Sequence, residues 1–153
     1  MKTILATTAL FCLIYFGSTL GQTSKETVPS GKNKIVKTTG VSSQQQLILW
    51  TSGDREVALK MVFMYALNCK KHGWMDNVRL LIWGPAQKLL TEDEELQKYL
   101  GQLKNAGVEL YACKGCADMY GIAEKLSGLG VTVKYTGKML ADLQKQGWFI
   151  LSI

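Results

Sequence analysis

Short apolar segments alternate with amphipathic segments along the chain from about residue 45 to the end. The apolar segments are predicted strands, at 47–50, 77–84, 108–113, 131–135 and 148–153. The amphipathic segments carry apolar residues every three or four positions and are predicted helices, at 55–73, 91–107, 116–130 and 137–147. Five strands alternating with about four helices predict an α/β fold, a three-layer, doubly wound structure around a five-stranded, mainly parallel sheet.

Capping residues and glycines mark the ends of these predicted helices. Asp54, or Ser52 before it, is placed to cap the first helix, and Thr91 with Glu94 forms a capping box for the second. In the third helix, Met119 is predicted to face the core. A glycine inside a helix costs about 1 kcal/mol relative to alanine, so Gly121 suggests a close backbone contact at that position.

The N-terminal segment has the pattern of an export signal. It has a positive Lys2, an apolar run over 4–16 and small residues up to Gly21, and the run is shorter than the roughly 20 residues that cross a bilayer. We therefore predict a secretory signal peptide at 1–21, with an uncleaved membrane anchor as the alternative. A flexible polar extension follows at 22–44, and the domain occupies 45–153. The expected location is periplasmic or secreted, with no membrane association after cleavage.

Charge and composition narrow the classes of partner. The chain of 153 residues is 47% hydrophobic and has a net charge of +6. Lysine supplies nearly all of the positive charge, because Arg55 and Arg79 are the only arginines. Proteins that bind nucleic acids usually concentrate arginine on one basic surface, so no nucleic-acid partner is expected.

The Cys-x-x-Cys turn after the third predicted strand is the main chemical feature of the sequence. Cys113 ends that strand and Cys116 begins the following helix. Ligand sites in doubly wound sheets lie at the carboxyl ends of the strands. A helix N-terminus and the nearby charge of Lys114 both lower the pKa of a cysteine thiol. Cys113 and Cys116 are therefore the predicted catalytic residues, with at least one nucleophilic thiol.

A metal site is not expected at this turn, and no cofactor is expected. A protein zinc site needs at least three protein ligands, whereas the pair supplies two. The single histidine, His72, and the thiol of Cys69 are both predicted at the opposite edge of the sheet. The absence of a second histidine near the turn also argues against a Cys-His catalytic dyad.

Three other interpretations of the turn stay open. A thioredoxin-like redox pair would have a cis-proline after it, whereas Pro29 and Pro85 both precede the pair. The two cysteines could instead be small buried hydrophobic residues. The third interpretation is a pocket for a small anion beside the turn, lined by Ser52 and Thr136, with Asp54 on the same predicted edge.

Four ordered stretches resemble the DsrE/DsrF-like sulfur-relay family. They are LILWTSGD, VRLLIWGPAQKLL, GVELYACKGCADMYGI and GLGVTVKYTGKMLADLQKQGWFILSI, and together they span about 47–153. The resemblance implies a doubly wound parallel sheet and assembly as a homo-oligomer, a trimer or hexamer. It also implies partners that are sulfur donors or acceptors, either proteins or small sulfur species.

The resemblance assigns roles within the Cys turn. The family's sulfur-carrying cysteine stands eight residues before a glycine, as Cys113 stands before Gly121, and Cys116 would be the second or resolving thiol. Tyr120 occupies a position where many members have arginine. The expected function is that of an exported protein that relays sulfur as a Cys113 persulfide or exchanges disulfides through the pair. The alternative is a non-catalytic oligomeric binding module with buried cysteines.

Overall fold

The computed structural model describes residues 43–153, and every structural statement below refers to that range. The predicted signal peptide at 1–21 lies outside the described residues, as does nearly all of the predicted polar extension. Within the described range, no helix is both long enough and apolar enough to cross a membrane.

The sheet has five strands, all parallel, in the order β4-β3-β2-β1-β5. Their bounds are β1 Gln45–Trp50, β2 Asn77–Ile82, β3 Glu109–Cys113, β4 Thr132–Lys134 and β5 Phe149–Ser152. The central strands are buried on both faces, which explains why their sequences are almost continuously apolar. The predicted parallel α/β fold is confirmed.

Six helical bodies connect the described strands, where the sequence predicted about four. They are a continuous first body of α1 Arg55–Val57, a π-helical segment Ala58–Phe63 and α2 Met64–Lys71, followed by α3 Pro85–Glu92, α4 Glu94–Asn105, α5 Lys114–Tyr120, α6 Ala123–Gly128 and α7 Gly137–Lys145. The two additional bodies are α3 and the separation of α5 from α6.

Helix α3 begins between the second predicted strand and the second predicted helix, where the sequence pattern predicted no element. Pro85 fills its first position, where the missing N–H has no helical partner to lose. The eight residues of α3 are too few to show a helical period by themselves. The next helix is capped by Asp93 and not by Thr91, because the Asp93 carboxylate accepts the N–H groups of Glu95 and Leu96 at 2.9 and 3.0 Å. The predicted capping box is therefore wrong.

The predicted helix at 116–130 is interrupted at Gly121. That glycine has φ +67 and ends α5 in the left-handed conformation, which glycine adopts without strain. No atom lies within 4 Å of the position that a Cβ would take there, so backbone conformation and not close packing explains the glycine. Met119, predicted to face the core, is 86% exposed because α5 ends after Tyr120.

The helices form two layers of unequal size. The larger core joins Ile48, Leu80 and Ala112 of the sheet to the first helical body and to α3, α4, α5 and α6. On the other face, a small core joins the sheet to Leu143 of α7 and to Trp148. The chain therefore passes to one face after β3 and to the opposite face after β4.

Candidate functional site

The carboxyl ends of β3 and β4 form a crevice where the chain switches between the two faces of the sheet. Cys113 is the last residue of β3 and precedes α5, whereas Thr136 precedes α7 on the other face. In open parallel sheets, ligands bind where adjacent strands send their connections to opposite faces. The Cys turn lies at that position in this fold.

The side chain of Cys113 is directed toward the face covered by α7. Its neighbours Leu110 and Ala112 point into the larger core, and successive strand residues alternate between faces. Tyr111, which packs against the smaller core, shares the face of Cys113. Cys113 is 8% exposed and lies in register with Lys134 of β4. The sulfur is thus a nearly buried group at the top of this face.

Four polar groups act on the sulfur of Cys113. Burial raises the pKa of the thiol, but the hydroxyl of Thr136 and the backbone N–H groups of Cys116, Thr136 and Gly115 lower it and outweigh burial. Cys113 occupies the N-cap position of α5, where the neutral thiol makes no side-chain cap hydrogen bond. Ionised sulfur is a much better acceptor for the first N–H groups of the helix. The arrangement therefore favours the thiolate.

Gln87 of α3 holds the backbone on which Cys113 lies. Its side chain is completely buried, and its Nε2 donates to the carbonyl oxygens of Ile82 and Cys113, both at 3.0 Å. One amide group thus ties the ends of β2 and β3 together. Gln87 was not predicted from the sequence, because no helix was predicted at 85–90. An amide close to the apolar residues Ala86 and Leu89 was the available signal.

Lys114 carries less free charge than its sequence position suggests. Its ammonium contacts both carboxylate oxygens of Asp118, at 2.7 and 2.6 Å. The same ammonium lies 5.8 Å from the ring centroid of Tyr135. Tyr135 is 70% exposed, and its ring edge is 4.0 Å from the position that a Cβ on Gly115 would take. An aromatic ring therefore lies against the first turn of α5.

Ser52 and Asp54 have local capping roles at the end of β1. The Asp54 carboxylate accepts the N–H groups of Glu56 and Val57 at 2.8 and 3.1 Å, and the Ser52 hydroxyl accepts the Asp54 N–H at 3.1 Å. Strand β2 separates β1 from β3, so these residues lie about 10 Å, two strand spacings, from the Cys strand. The structure does not bring them together with Thr136.

Tyr120 lies toward α3 and not toward α7. It is 43% exposed and lines a cavity of about 260 Å³ together with Gly53, Pro85 and Leu89. Cys113 points to the opposite face of the sheet. The position at which many family members have arginine therefore opens onto a cavity beside α3, not toward the face to which the Cys113 side chain points.

A basic cleft lies between β4 and α7, on the face to which Cys113 points. Its volume is about 370 Å³, and Arg79, Lys134 and Lys138 supply its positive charge. Arg79 is bound to Glu109 at 2.9 Å, and Lys138 to Asp142 at 2.6 Å. Two of the three cations are therefore neutralised by neighbouring carboxylates.

The other sulfur and imidazole groups lie elsewhere. Cys69 is completely buried in α2, and the His72 ring stacks on Trp74 with 5.4 Å between centroids. Within residues 43–153, no three side chains of His, Cys, Asp or Glu come close enough together to hold a metal ion. All three cysteines in that range are free thiols, and Cys116 is partly exposed.

Comparisons with known proteins agree with this architecture. No curated protein matches the chain. Among solved structures, a conserved protein of unknown function from Bacteroides thetaiotaomicron is 34% identical, with a TM-score of 0.70, over 72% of this chain and 95% of that one.

Two more distant structures share the fold. The ychN protein from E. coli is 18% identical with a TM-score of 0.56, and a protein of unknown function from Methanobacterium thermoautotrophicum is 19% identical with a TM-score of 0.57. Each match covers 72% of this chain and 100% of the other. The model of the DsrE/DsrF-like family matches residues 46–153, which include every strand and helix described above. The chain belongs to the DsrE/DsrF-like family.

Proposed function

We propose that the protein carries sulfur as a persulfide on Cys113. The observation that supports this most directly is the set of contacts around the Cys113 sulfur at the switch point of the sheet, where three backbone N–H groups and the Thr136 hydroxyl lower the pKa of the thiol. The nucleophile in sulfur transfer is the thiolate. A thiol pKa below its usual value increases the fraction of nucleophilic thiolate at a given pH.

The transfer is a pair of nucleophilic displacements. The Cys113 thiolate attacks the outer sulfur of a donor persulfide, R–S–SH. The S–S bond of the donor breaks, its electron pair leaves on the donor thiolate RS⁻, and Cys113 becomes Cys–S–SH. An acceptor thiolate then attacks the outer sulfur of the Cys113 persulfide and regenerates the Cys113 thiolate. Neither step requires an external oxidant or reductant.

Intact-protein mass spectrometry after incubation with a low-molecular-weight persulfide or with polysulfide tests this proposal. The wild type and the Cys116→Ser variant are expected to gain the mass of one sulfur atom, which a reductant then removes. Cys113→Ser is expected to gain none. Equal sulfur gain in Cys113→Ser, or no gain in the wild type, would contradict the carrier role.

Thiol–disulfide exchange by the cysteine pair is a second candidate function. Cys116 is partly exposed, free, and three residues after Cys113 in the first turn of α5. In this reaction Cys113 attacks a substrate disulfide, and Cys116 then displaces the product thiol and closes a Cys113–Cys116 disulfide. A loss of two hydrogen masses with no sulfur gain, abolished by Cys116→Ser, would support this reaction in place of sulfur carriage.

We further propose that the domain works outside the cytoplasm after cleavage behind Gly21, as a homo-oligomer that meets a sulfur donor or acceptor. The positive, apolar and small-residue pattern of 1–21 supports export. The exposed apolar side chains of Phe149, Met61 and Met64 support self-association. The mass of the protein isolated from its own compartment tests cleavage, and sedimentation tests whether it is a monomer, trimer or hexamer.

A further inference from the structure

The hydroxyl of Thr136 is a buried polar group without a hydrogen-bond partner. Thr136 is completely buried, and its Oγ1 forms no hydrogen bond within the described residues. Nearly all buried polar atoms in folded proteins are paired, and an unpaired hydroxyl destabilises the fold. Pairing of this hydroxyl therefore requires a stronger acceptor than the groups around it provide in this structure.

The group that this hydroxyl faces is the sulfur of Cys113. The hydroxyl and the N–H of Thr136 act on that sulfur, together with the N–H groups of Gly115 and Cys116. Thr136 is the N-cap of α7, a helix of nine residues, and Cys113 is the N-cap of α5. The first turn of α7 therefore also favours a negative charge near this sulfur.

We propose that Thr136 is a positioning residue whose hydroxyl completes an anion site for the Cys113 sulfur and becomes hydrogen-bonded only when that sulfur is charged. A neutral thiol is a weak acceptor and satisfies a buried hydroxyl poorly. A charged acceptor forms a shorter and stronger hydrogen bond. This inference rests on the proposed function and extends it to the residue that controls the charge of the sulfur.

The anion site promotes the release of sulfur as well as its capture. When an acceptor thiolate attacks the outer sulfur of the Cys113 persulfide, the S–S electron pair stays on the Cys113 sulfur. The hydroxyl of Thr136 and the three N–H groups stabilise this leaving thiolate as it forms. Disulfide-type displacements are faster when the leaving thiol has a lower pKa. Thr136 therefore assists hand-over to the acceptor.

Other charged and titratable groups lie on the elements around the crevice. The Lys114 charge is matched by Asp118 at 2.6 Å. The remaining groups are Cys116 on α5, Lys134 on β4, Tyr135 before α7 and Lys138 on α7, which is bound to Asp142. Replacing Thr136 leaves all of these groups in place, so a matched pair of Thr136 variants isolates the hydroxyl.

The test compares Thr136→Val, which keeps the shape but removes the hydroxyl, with Thr136→Ser, which keeps the hydroxyl. Both are made in the full chain carrying Cys12→Ser, Cys69→Ala and Cys116→Ser, so that iodoacetamide reports on Cys113 alone. Loss of one charge-assisted hydrogen bond is expected to slow alkylation of Thr136→Val roughly tenfold at pH 7. The rates should converge at alkaline pH, and Thr136→Ser should follow the parent. Identical pH profiles for Thr136→Val and the parent would overturn the proposal.

Urea denaturation as a function of pH tests the same hydrogen bond independently of the alkylation rate of Cys113. At acid pH, where Cys113 is neutral, Thr136→Val should be at least as stable to urea as the parent, because it removes an unpartnered hydroxyl. At alkaline pH it should be less stable, because the thiolate has lost a donor. The reversal should disappear when Cys113→Ala is also present. If Thr136→Val is equally destabilised at every pH, Thr136 has a purely structural role and the proposed anion site is wrong.

The two proposals fail separately. If the wild type gains no sulfur while Thr136→Val still shifts the alkylation profile, persulfide carriage is wrong and the anion site stands. If the wild type gains sulfur at Cys113 while Thr136→Val shows the parent's alkylation profile and sulfur-release rate, the anion site is wrong and the carrier role stands.

Discussion

Replacing Gln87 with leucine should loosen the support of Cys113 while keeping the volume of the buried side chain. The Gln87 amide donates to the carbonyl oxygens of Ile82 and Cys113, each at 3.0 Å, and its own Oε1 is buried without a partner. Each of the two carbonyl oxygens that loses its donor lowers the free energy of unfolding by about 1 to 3 kcal/mol. Removal of the unpartnered Oε1 raises it by about the cost of one such group. The expected net loss of stability is therefore roughly 2 kcal/mol.

Urea denaturation followed by tryptophan fluorescence measures this loss. A domain of this size should lose about 8 °C in Tm for roughly 2 kcal/mol. Gln97→Leu is the matched control, because the Gln97 amide donates one hydrogen bond, to the carbonyl of Leu90 at 3.0 Å, and is only partly buried. Water can replace that bond, so the control should lose less than about 1 kcal/mol.

Amide hydrogen exchange shows which part of the sheet is destabilised in Gln87→Leu. In Gln87→Leu, the amides at the carboxyl ends of β2 and β3 should exchange faster than those at the centres of the same strands, because the two strand ends are no longer tied together. If Gln87→Leu is as stable as Gln97→Leu, and exchange at these ends is unchanged, then Gln87 does not support the Cys strand and our reasoning about it is wrong.

Two further predictions concern backbone conformation and pH. Gly121→Ala should lose about 1 to 2 kcal/mol because φ is +67 there, whereas Gly101→Ala, in the exposed interior of α4, should gain about 0.5 to 1 kcal/mol; equal changes in urea denaturation would contradict the strain at Gly121. Burial raises the pKa of Glu109, but hydrogen bonds from Tyr111 and Arg79 outweigh it, so the folded pKa lies below the usual glutamate value. The contribution of ionised Glu109 to the free energy of unfolding is present above the pKa of this residue in the unfolded chain. It is lost as the pH falls through the pKa of Glu109 in the folded protein. Glu109→Gln should therefore lose less stability than the wild type between pH 6 and pH 3, and equal losses would show that this ion pair is unimportant.

The strand and helix pattern of the domain is determined by the sequence to a large extent. The central strands β1, β2 and β3 are largely apolar because parallel strands covered by helices are buried on both faces. This pattern can be recognised from the sequence alone. The Cys turn was also identifiable, because a strand end followed by a helix start is a local feature. The resemblance to the DsrE/DsrF-like family was identified over residues 47–153, and the family model matches residues 46–153.

Short and interrupted helices were decided by tertiary structure. Helix α3 has only eight residues and begins at a proline, so its packing against the sheet and not its periodicity makes it helical. The break at Gly121 depends on a left-handed backbone conformation, which a helical hydrophobic pattern does not reveal. Asp93 replaced Thr91 as the cap because α3 extends to Glu92.

The arrangement of the candidate site also depends on the strand order. The sequence places Ser52 and Thr136 at the same edge of a sheet, but the order β4-β3-β2-β1-β5 puts two strands between them and makes Thr136 the neighbour of Cys113. This order brings backbone N–H groups from two separate segments and a buried hydroxyl to one sulfur atom. The sequence by itself determined that a reactive thiol stands at a strand end. The tertiary structure decided which groups surround it, because donors from separate elements meet only when the sheet is assembled.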